Sequence, residues 1–190
     1  MSDPFTTDRL VLRRFTTDDA DDLVALDRDP AVRRYIEDGV VPTREDALDT
    51  IEHWTATDDH HELFGFWAAI DRSTGAFLGW FHLRSRDDDP PDEPELGYRL
   101  VPSCWGQGYA TEGSRALIDR AFASGAARRI VAETMAVNVG SRRVMEKSGL
   151  RLVRTFHAEW PVRIDGDEHG DVEYAITRSE WDEQRGQAPT

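Results

Sequence analysis

The chain carries one cysteine and one lysine in 190 residues. Cys104 has no partner for an internal disulfide, so the sulfur content gives no sign of an oxidising compartment. Lys147 is the sole lysine among 23 basic residues, which stand against 37 acidic ones, and the formal charge is -14. No basic stripe is present to displace the counterions around nucleic acid, and the same negative field disfavours anionic membrane surfaces. No apolar run approaches the roughly 20 residues that span a bilayer, and the opening MSDPFTTDRLVL lacks a basic segment followed by an apolar one. These absences predict a soluble, cytoplasmic, single domain over residues 1–190, with neither nucleic acid nor membrane as a partner. What is abundant is acid, which concentrates cations near the surface and makes amines physically sensible substrates; solubility alone accounts for the same charge.

The patterning alternates between periods. Leu10 and Leu12 share a face at period two in RLVLRRF, a strand. Thr17 or Asp18 caps a helix with acid in its first turn. Thr43 and Asp46 form a capping box that opens a second helix, with Leu48, Ile51 and Trp54 at helical spacing. Residues 64–86 read as a hairpin around Asp71–Gly75. The acidic, proline-rich stretch from Asp87 to Glu95 is a surface loop, since its prolines remove strand donors. ELGYRLV is a strand, and after a glycine-containing loop a helix over residues 109–124 carries Ala110, Leu117, Ala121 and Phe122 inward and stops at Gly125. A strand over 128–137, a short helix over 138–148 and two further strands follow; Val172, Tyr174 and Ile176 alternate on the last. A box from Ser179 to Asp182 opens the final helix. No repeat or linker divides the chain, and the order predicts a mixed α/β sheet, mainly antiparallel in its first half, with a later strand-helix-strand crossover.

The stretch CWGQGYATEG, Cys104–Gly113, lies between a strand and a helix. Unpaired N–H groups at a helix start, with the helix dipole behind them, form an anion site, and Gly106 and Gly108 let a phosphate approach the backbone. The stretch lacks G-x-x-x-x-G-K-[ST], which argues against a triphosphate loop, and Thr111 breaks G-x-G-x-x-G, which argues against a dinucleotide fold. On local grounds, ordinary turn chemistry and an anion site are both open.

WGQGYATEG, with ELGYRLV before it and NVGSRRVMEKSGL after it, resembles the GNAT acyl-CoA-dependent N-acetyltransferases, more narrowly the RimJ/RimL-like branch. The opening TDRLVLRRFTTDDADDLVALDRDPAVRRYI is similar to that branch's first strand and helices, so the resemblance covers most of the chain. It implies an α/β (α+β) GNAT fold, a mixed, mainly antiparallel sheet of six to seven strands flanked by helices and splayed between the fourth and fifth strands. It also implies acetyl-CoA as co-substrate, no metal, and direct attack by a primary amine in a ternary complex. The acceptor would be a protein N-terminus or a small cationic amine such as a polyamine or aminoglycoside. In this family the loop amides of Q/R-x-x-G-x-G/A hold the coenzyme A pyrophosphate. Gly108 and Ala110 match the last two marked positions, while Trp105 stands where Gln or Arg is usual and is expected to pack. The implied cofactor-binding residues are Gln107, Gly108, Tyr109, Ala110 and Thr111 by their amides, and Leu100 and Val101 by strand main chain against the pantetheine arm. Asn138 and Ser141 lie beside the arm, and Arg142, ahead of Arg143 and Lys147, meets the 3'-phosphate.

Amide formation from a thioester needs a neutral amine, a held carbonyl and a proton for the departing thiolate. The Tyr that often supplies that proton, seven residues after Asn138, is replaced by Met145. The branch resemblance gives the acid's role to Ser141, although Asn138 and Ser141 also make sense as a helix cap and first turn. Glu95, at the start of the cleft strand, is the candidate base; Glu173 and Tyr174 are further candidates, and Glu112 would be solvated or turned aside. Cys104 reads as core filling rather than as a nucleophile. His60 and His61 in DDHHE are adjacent and share no helix face, so they form no metal pair. Two rivals stand beside the enzyme: a non-catalytic acyl-CoA-binding sensor or interaction module, and a nucleotide-binding protein of unrelated fold. The oligomeric state is open, with a homodimer allowed.

Overall fold

The computed structural model describes residues 3–35, 41–56, 61–86, 90–158 and 163–186. Asp58, Asp59 and His60 of DDHHE, and the first three residues of the acidic loop at 87–95, lie outside them. Among the described residues the strands are β1 (Phe5–Thr6), β2 (Leu10–Arg13), β3 (Gly65–Asp71), β4 (Phe77–Arg84), β5 (Glu95–Leu100), β6 (Arg129–Met135), β7 (Arg151–Phe156) and β8 (Asp171–Thr177). The α-helices are α1 (Ala20–Arg28), α2 (Pro30–Arg33), α3 (Arg44–Ala56), α4 (Tyr109–Ser124), α5 (Val139–Lys147) and α6 (Arg178–Gly186).

One sheet takes the order β1-β2-β3-β4-β5-β6-β8-β7. Every neighbouring pair is antiparallel except β5–β6, which is parallel and joined at a single register pair, Glu95 with Val131. This is the splay expected between the fourth and fifth strands of the sequence reading. The strand beyond the six or seven expected is β1, whose two residues pair with Val11 and Leu12 and are too few to show alternation.

Alternation along β4 divides the core. Trp80 packs with Phe15, Leu23, Leu26 and Ile51 beneath α1 and α3, while Phe81 and Leu83 join Leu117, Ile118, Ala121 and Phe122 of α4 on the other face. Each such large apolar side chain, fully buried, contributes about 1.5–3 kcal/mol. The close approach of α4 depends on Gly113, because a Cβ there would lie 2.6 Å from both Cε atoms of Phe81. Gly125, at φ 79°, ends the helix as expected.

The Thr43–Asp46 box is reciprocal: Thr43 N donates to Asp46 Oδ2 at 2.7 Å and Asp46 N to Thr43 Oγ1 at 3.2 Å. Two other expected caps sit elsewhere. Thr16, not Thr17 or Asp18, opens the first helical segment, boxed with Asp19. At α6 the box joins Thr177 to Glu180 rather than Ser179 to Asp182, because β8 ends at Thr177 and its amide meets Glu180 Oε2 at 2.9 Å.

Buried carboxylates give the fold an acid limit. Burial pushes Asp19 and Glu173 upward, but Arg13 and Thr16 around Asp19, and Arg154 and Arg129 around Glu173, outweigh it and leave both below the usual carboxylate range. A pKa depressed by folding stabilises fully above the unfolded value, near ~4, and the gain disappears as pH falls through the folded one. The melting temperature is therefore expected to hold near neutrality and to fall steadily once pH drops below about 4. Glu173→Gln should flatten part of that acid limb; an acid limb identical to wild type would remove Glu173 from the account.

Candidate active site

The site forms where β5 leaves β6. Val101 N donates to Leu78 O at 2.9 Å, so in the antiparallel ladder the main-chain groups of residues 97, 99 and 101 point to β4. On the other side Val131 N donates to Pro94 O at 3.1 Å, at the single β5–β6 register pair. Tyr98 and Leu100 thus turn their main-chain groups toward the open gap. Val101 does not offer the main-chain pairing expected of it: its N–H is bound to Leu78 and its carbonyl accepts from Cys104 N at 3.1 Å. The Leu100 carbonyl accepts from Trp105 Nε1 at 2.7 Å. That bond holds the indole across the loop, so Trp105 is 49% exposed rather than packed.

At the mouth of the gap lies the glycine loop. Gly106 and Gly108 have φ of 73° and 86°, in the left-handed region that favours glycine. The first bond of α4 runs from Glu112 N to Gly108 O at 2.9 Å, so the N–H groups of Tyr109, Ala110 and Thr111 have no acceptor within the helix and the dipole adds to their pull on an anion. The Gln107 side chain is tied back, its Nε2 donating to Ser103 O at 2.7 Å. Beside the helix start is a cleft of about 520 Å³, bordered by Gly108, Thr111, Glu112, Arg115 and Lys147. Arg115 Nε donates to the main-chain carbonyl of Lys147 at 2.9 Å, and both residues border the cleft, with Asp8 and Asp119 also on its rim. Arg142 points elsewhere: its Nε donates to Tyr174 OH at 3.2 Å and its Nη1 to Ala136 O at 3.0 Å. Tyr174 in turn donates to Glu146 Oε1 at 2.9 Å. That polar chain directs Arg142 to β8, away from the cleft its helix position suggested.

The opposite wall is the first turn of α5. Asn138 caps it, accepting from Ser141 N at 3.2 Å while its Nδ2 donates to Thr134 Oγ1 at 3.1 Å. Ser141 Oγ lies 2.9 Å from Tyr98 OH, which is also 3.0 Å from the Ser141 carbonyl. Burial pushes the Tyr98 phenol well above its ordinary range, and the bond to Ser141 offsets this only in part, so Tyr98 stays neutral. Met145 is buried in the core. Cys104 is buried too, with its thiol donating to Val101 O; burial raises its pKa, which suits core filling and not attack.

The carboxylates divide by face. Glu95 pairs across the sheet with Arg84, on the same face as Trp80, whereas Tyr98 pairs with Phe81 on the face of α4. Glu95 Oε2 accepts from Arg84 Nε at 2.9 Å and Nη2 at 2.7 Å, leaving Oε1 outside that ion pair. Glu173 is held by Arg129 and Arg154, each at 2.7 Å, and Tyr174 is committed to Arg142 and Glu146, which leaves neither free as a base. Among the described residues no cluster of His, Cys, Asp and Glu could hold a metal, and no helix is long and apolar enough to cross a membrane.

A sheet parted at one parallel seam, with an amide-rich helix end at the mouth of the opening, is the architecture of an acetyltransferase. The acetyltransferase (GNAT) domain model matches residues 9–151, and the chain belongs to that family. An "FsC-acetyl coenzyme A-N(2)-transacetylase" of Aspergillus fumigatus is 35% identical over 162 residues, covering 82% of this chain and 68% of that protein. The structure of RimL, a ribosomal α-N-protein acetyltransferase in complex with coenzyme A, superposes with a TM-score of 0.78 at 20% identity, covering 92% of this chain and 98% of that one. Spermidine N-acetyltransferase from Vibrio cholerae, in complex with CoA and spermine, gives 0.75 at 15%, over 92% and 99%. RimL among these folds agrees with the RimJ/RimL-like branch that the motifs resemble, and GNAT acetyltransferases use acetyl-CoA.

Proposed function

We propose that this acetyltransferase moves an acetyl group from acetyl-CoA to a primary amine by direct attack, with both substrates bound. The observation that carries the reading is the opening between β5 and β6, flanked by α4's free amides at its mouth and by Ser141 and Tyr98 on its wall. The residues fit the cofactor. Amides from Gln107 to Thr111 would take the pyrophosphate, the Tyr98 and Leu100 main chain would line the pantetheine arm, and Arg115 and Lys147 are better placed than Arg142 for the 3'-phosphate. Acetyl-CoA supplies the thioester.

Chemistry would run across the sheet. Glu95 lies on the α1–α3 face and would take the amine's proton, directly or through water; the C–N bond forms as the C–S bond breaks, and Ser141, on the α5 side, gives its proton to the departing sulfur. No covalent acyl-enzyme is needed. For the acceptor the names of relatives range over a protein α-amine, spermidine and an FsC N(2) position, and the chain's acidic field suits the cationic ones.

The test is thiol release from acetyl-CoA with a panel of ribosomal-type N-terminal peptides, polyamines and aminoglycosides, run beside calorimetric titration of CoA. Turnover on one class, with micromolar CoA binding, is expected. CoA binding with no turnover on any amine would sink the enzyme reading in favour of an acyl-CoA sensor, the alternative that Met145 and the Arg84-bound Glu95 favour.

A further inference from the structure

A glutamate in the first turn of a phosphate-binding helix is a contradiction, because its charge would oppose the anion that the free amides attract. Glu112 occupies that position. We infer that Arg9, from the chain's N-terminal segment, is a positioning residue of the cofactor loop that cancels Glu112 and so keeps the start of α4 open to a diphosphate. This inference rests on the acetyl-CoA reading above.

The carboxylate of Glu112 is bound on both oxygens by groups of the N-terminal segment. Oε1 accepts from Thr7 Oγ1 at 2.5 Å and from Arg9 N at 2.8 Å. Oε2 accepts from Arg9 Nε at 2.7 Å and lies 2.6 Å from Arg9 Nη2. Two guanidinium nitrogens thus converge on one carboxylate oxygen while a hydroxyl and a backbone amide hold the other, and hydrogen bonds to ionised groups are the stronger class. Burial tends to raise the pKa of Glu112, yet the bonds from Thr7 and Arg9 outweigh it and hold the group below the usual carboxylate range. The glutamate therefore stays ionised, and a cation beside it is the means of cancelling its field.

The same guanidinium reaches the loop itself. Arg9 Nη1 donates to the Gln107 carbonyl at 2.9 Å, and the guanidinium lies 4.2 Å from the centre of the Tyr109 ring. In a trans peptide the carbonyl and the following N–H point in opposite directions. Drawing the Gln107 carbonyl toward Arg9 thus aims the Gly108 N–H away from it. One arginine neutralises the adverse charge, orients one loop peptide and covers the flanking aromatic ring. Its partners are 98 to 103 residues away in sequence.

The experiment is calorimetric titration of the full chain with CoA, for wild type, Arg9→Met, Arg9→Lys, Glu112→Gln and the Arg9→Met/Glu112→Gln double variant, each checked for native circular dichroism. Arg9→Met should bind CoA at least tenfold more weakly, Arg9→Lys should keep most of the affinity, and Glu112→Gln should bind no more weakly than wild type. The double variant removes the clamp entirely, the bond to the Gln107 carbonyl included, yet should recover to within about threefold of wild type because charge cancellation is the larger part of the role, which a merely structural role would not produce. Arg9→Met at wild-type affinity, weaker binding by Glu112→Gln, or a double variant as weak as Arg9→Met would each overturn the inference while leaving the CoA site standing. A wild-type chain that does not bind CoA would overturn both.

Discussion

Ser141→Ala is expected to lower kcat about a hundredfold, and Tyr98→Phe about tenfold, with KM for acetyl-CoA within about twofold of wild type in both. General acids contribute roughly 10²–10⁴-fold, and a thiolate with a pKa near ~8.5 departs readily with little help from a proton, which places Ser141 at the low end. Tyr98 acts through Ser141. Its phenol stays neutral and donates its one proton to the Ser141 carbonyl at 3.0 Å, so at 2.9 Å from Oγ it accepts from the serine hydroxyl and fixes the orientation from which that proton turns to the sulfur. Without the phenol the serine hydroxyl loses its anchor but not its proton. The two losses should not add: the double variant is expected to match Ser141→Ala alone, because Tyr98 has nothing left to position. The deficit of Ser141→Ala should also shrink as pH rises past about 8.5, where the thiolate no longer needs a proton. Steady-state kinetics on the amine found active would measure all four enzymes. A Ser141→Ala enzyme with wild-type kcat at neutral pH would end the acid role, and fully additive losses would separate Tyr98 from Ser141.

The second large effect concerns stability. Gly113→Val is expected to destabilise the fold by about 3 kcal/mol and Gly113→Ala by about 1–2 kcal/mol, read as lower urea midpoints at unchanged slope. A Cβ at this position would overlap the ring of Phe81, which is wholly buried. Alanine gains about 1 kcal/mol of helix propensity over glycine, which offsets only part of the overpacking. Relief of the overlap would lift the start of α4 from the sheet and carry the amide loop with it, so CoA affinity should fall alongside stability. Wild-type stability in Gly113→Val would mean that α4 does not depend on this contact.

Local chemistry made much of this fold legible. The period-two strands, the Thr43–Asp46 box, the Gly125 stop and the Asn138 cap are all short-range, and each appears where the sequence placed it. The splay was legible through the resemblance of three motifs in order rather than through any local signal. What escaped notice was decided at a distance. Alternation along ELGYRL gives Tyr98 a face, but only the crossing of α5, 43 residues on, gives it Ser141. Arg9 has no local mark of a loop-binding role. Arg142 sits on a helix turn that suggested a free cation, yet Tyr174, 32 residues away, takes its guanidinium. Trp105 misled because an aromatic ring suggests packing; the reach of its ring nitrogen to the Leu100 carbonyl keeps it in solvent instead. Ser179 missed the last cap by two residues, because α6 starts directly where the strand ends and Thr177 itself caps it.

Lys147 is exposed at the wall of the α4 cleft, and the rest of the basic surface is arginine. A transferase that modifies amines therefore offers a single side-chain amine of its own. Reagents selective for lysine, such as succinimidyl esters, have one side-chain target in this chain, and it stands beside the helix start that the cofactor's phosphates would occupy. The scarcity that opened the sequence thus gives the molecule one side-chain handle for a dye or cross-linker, placed at the cleft.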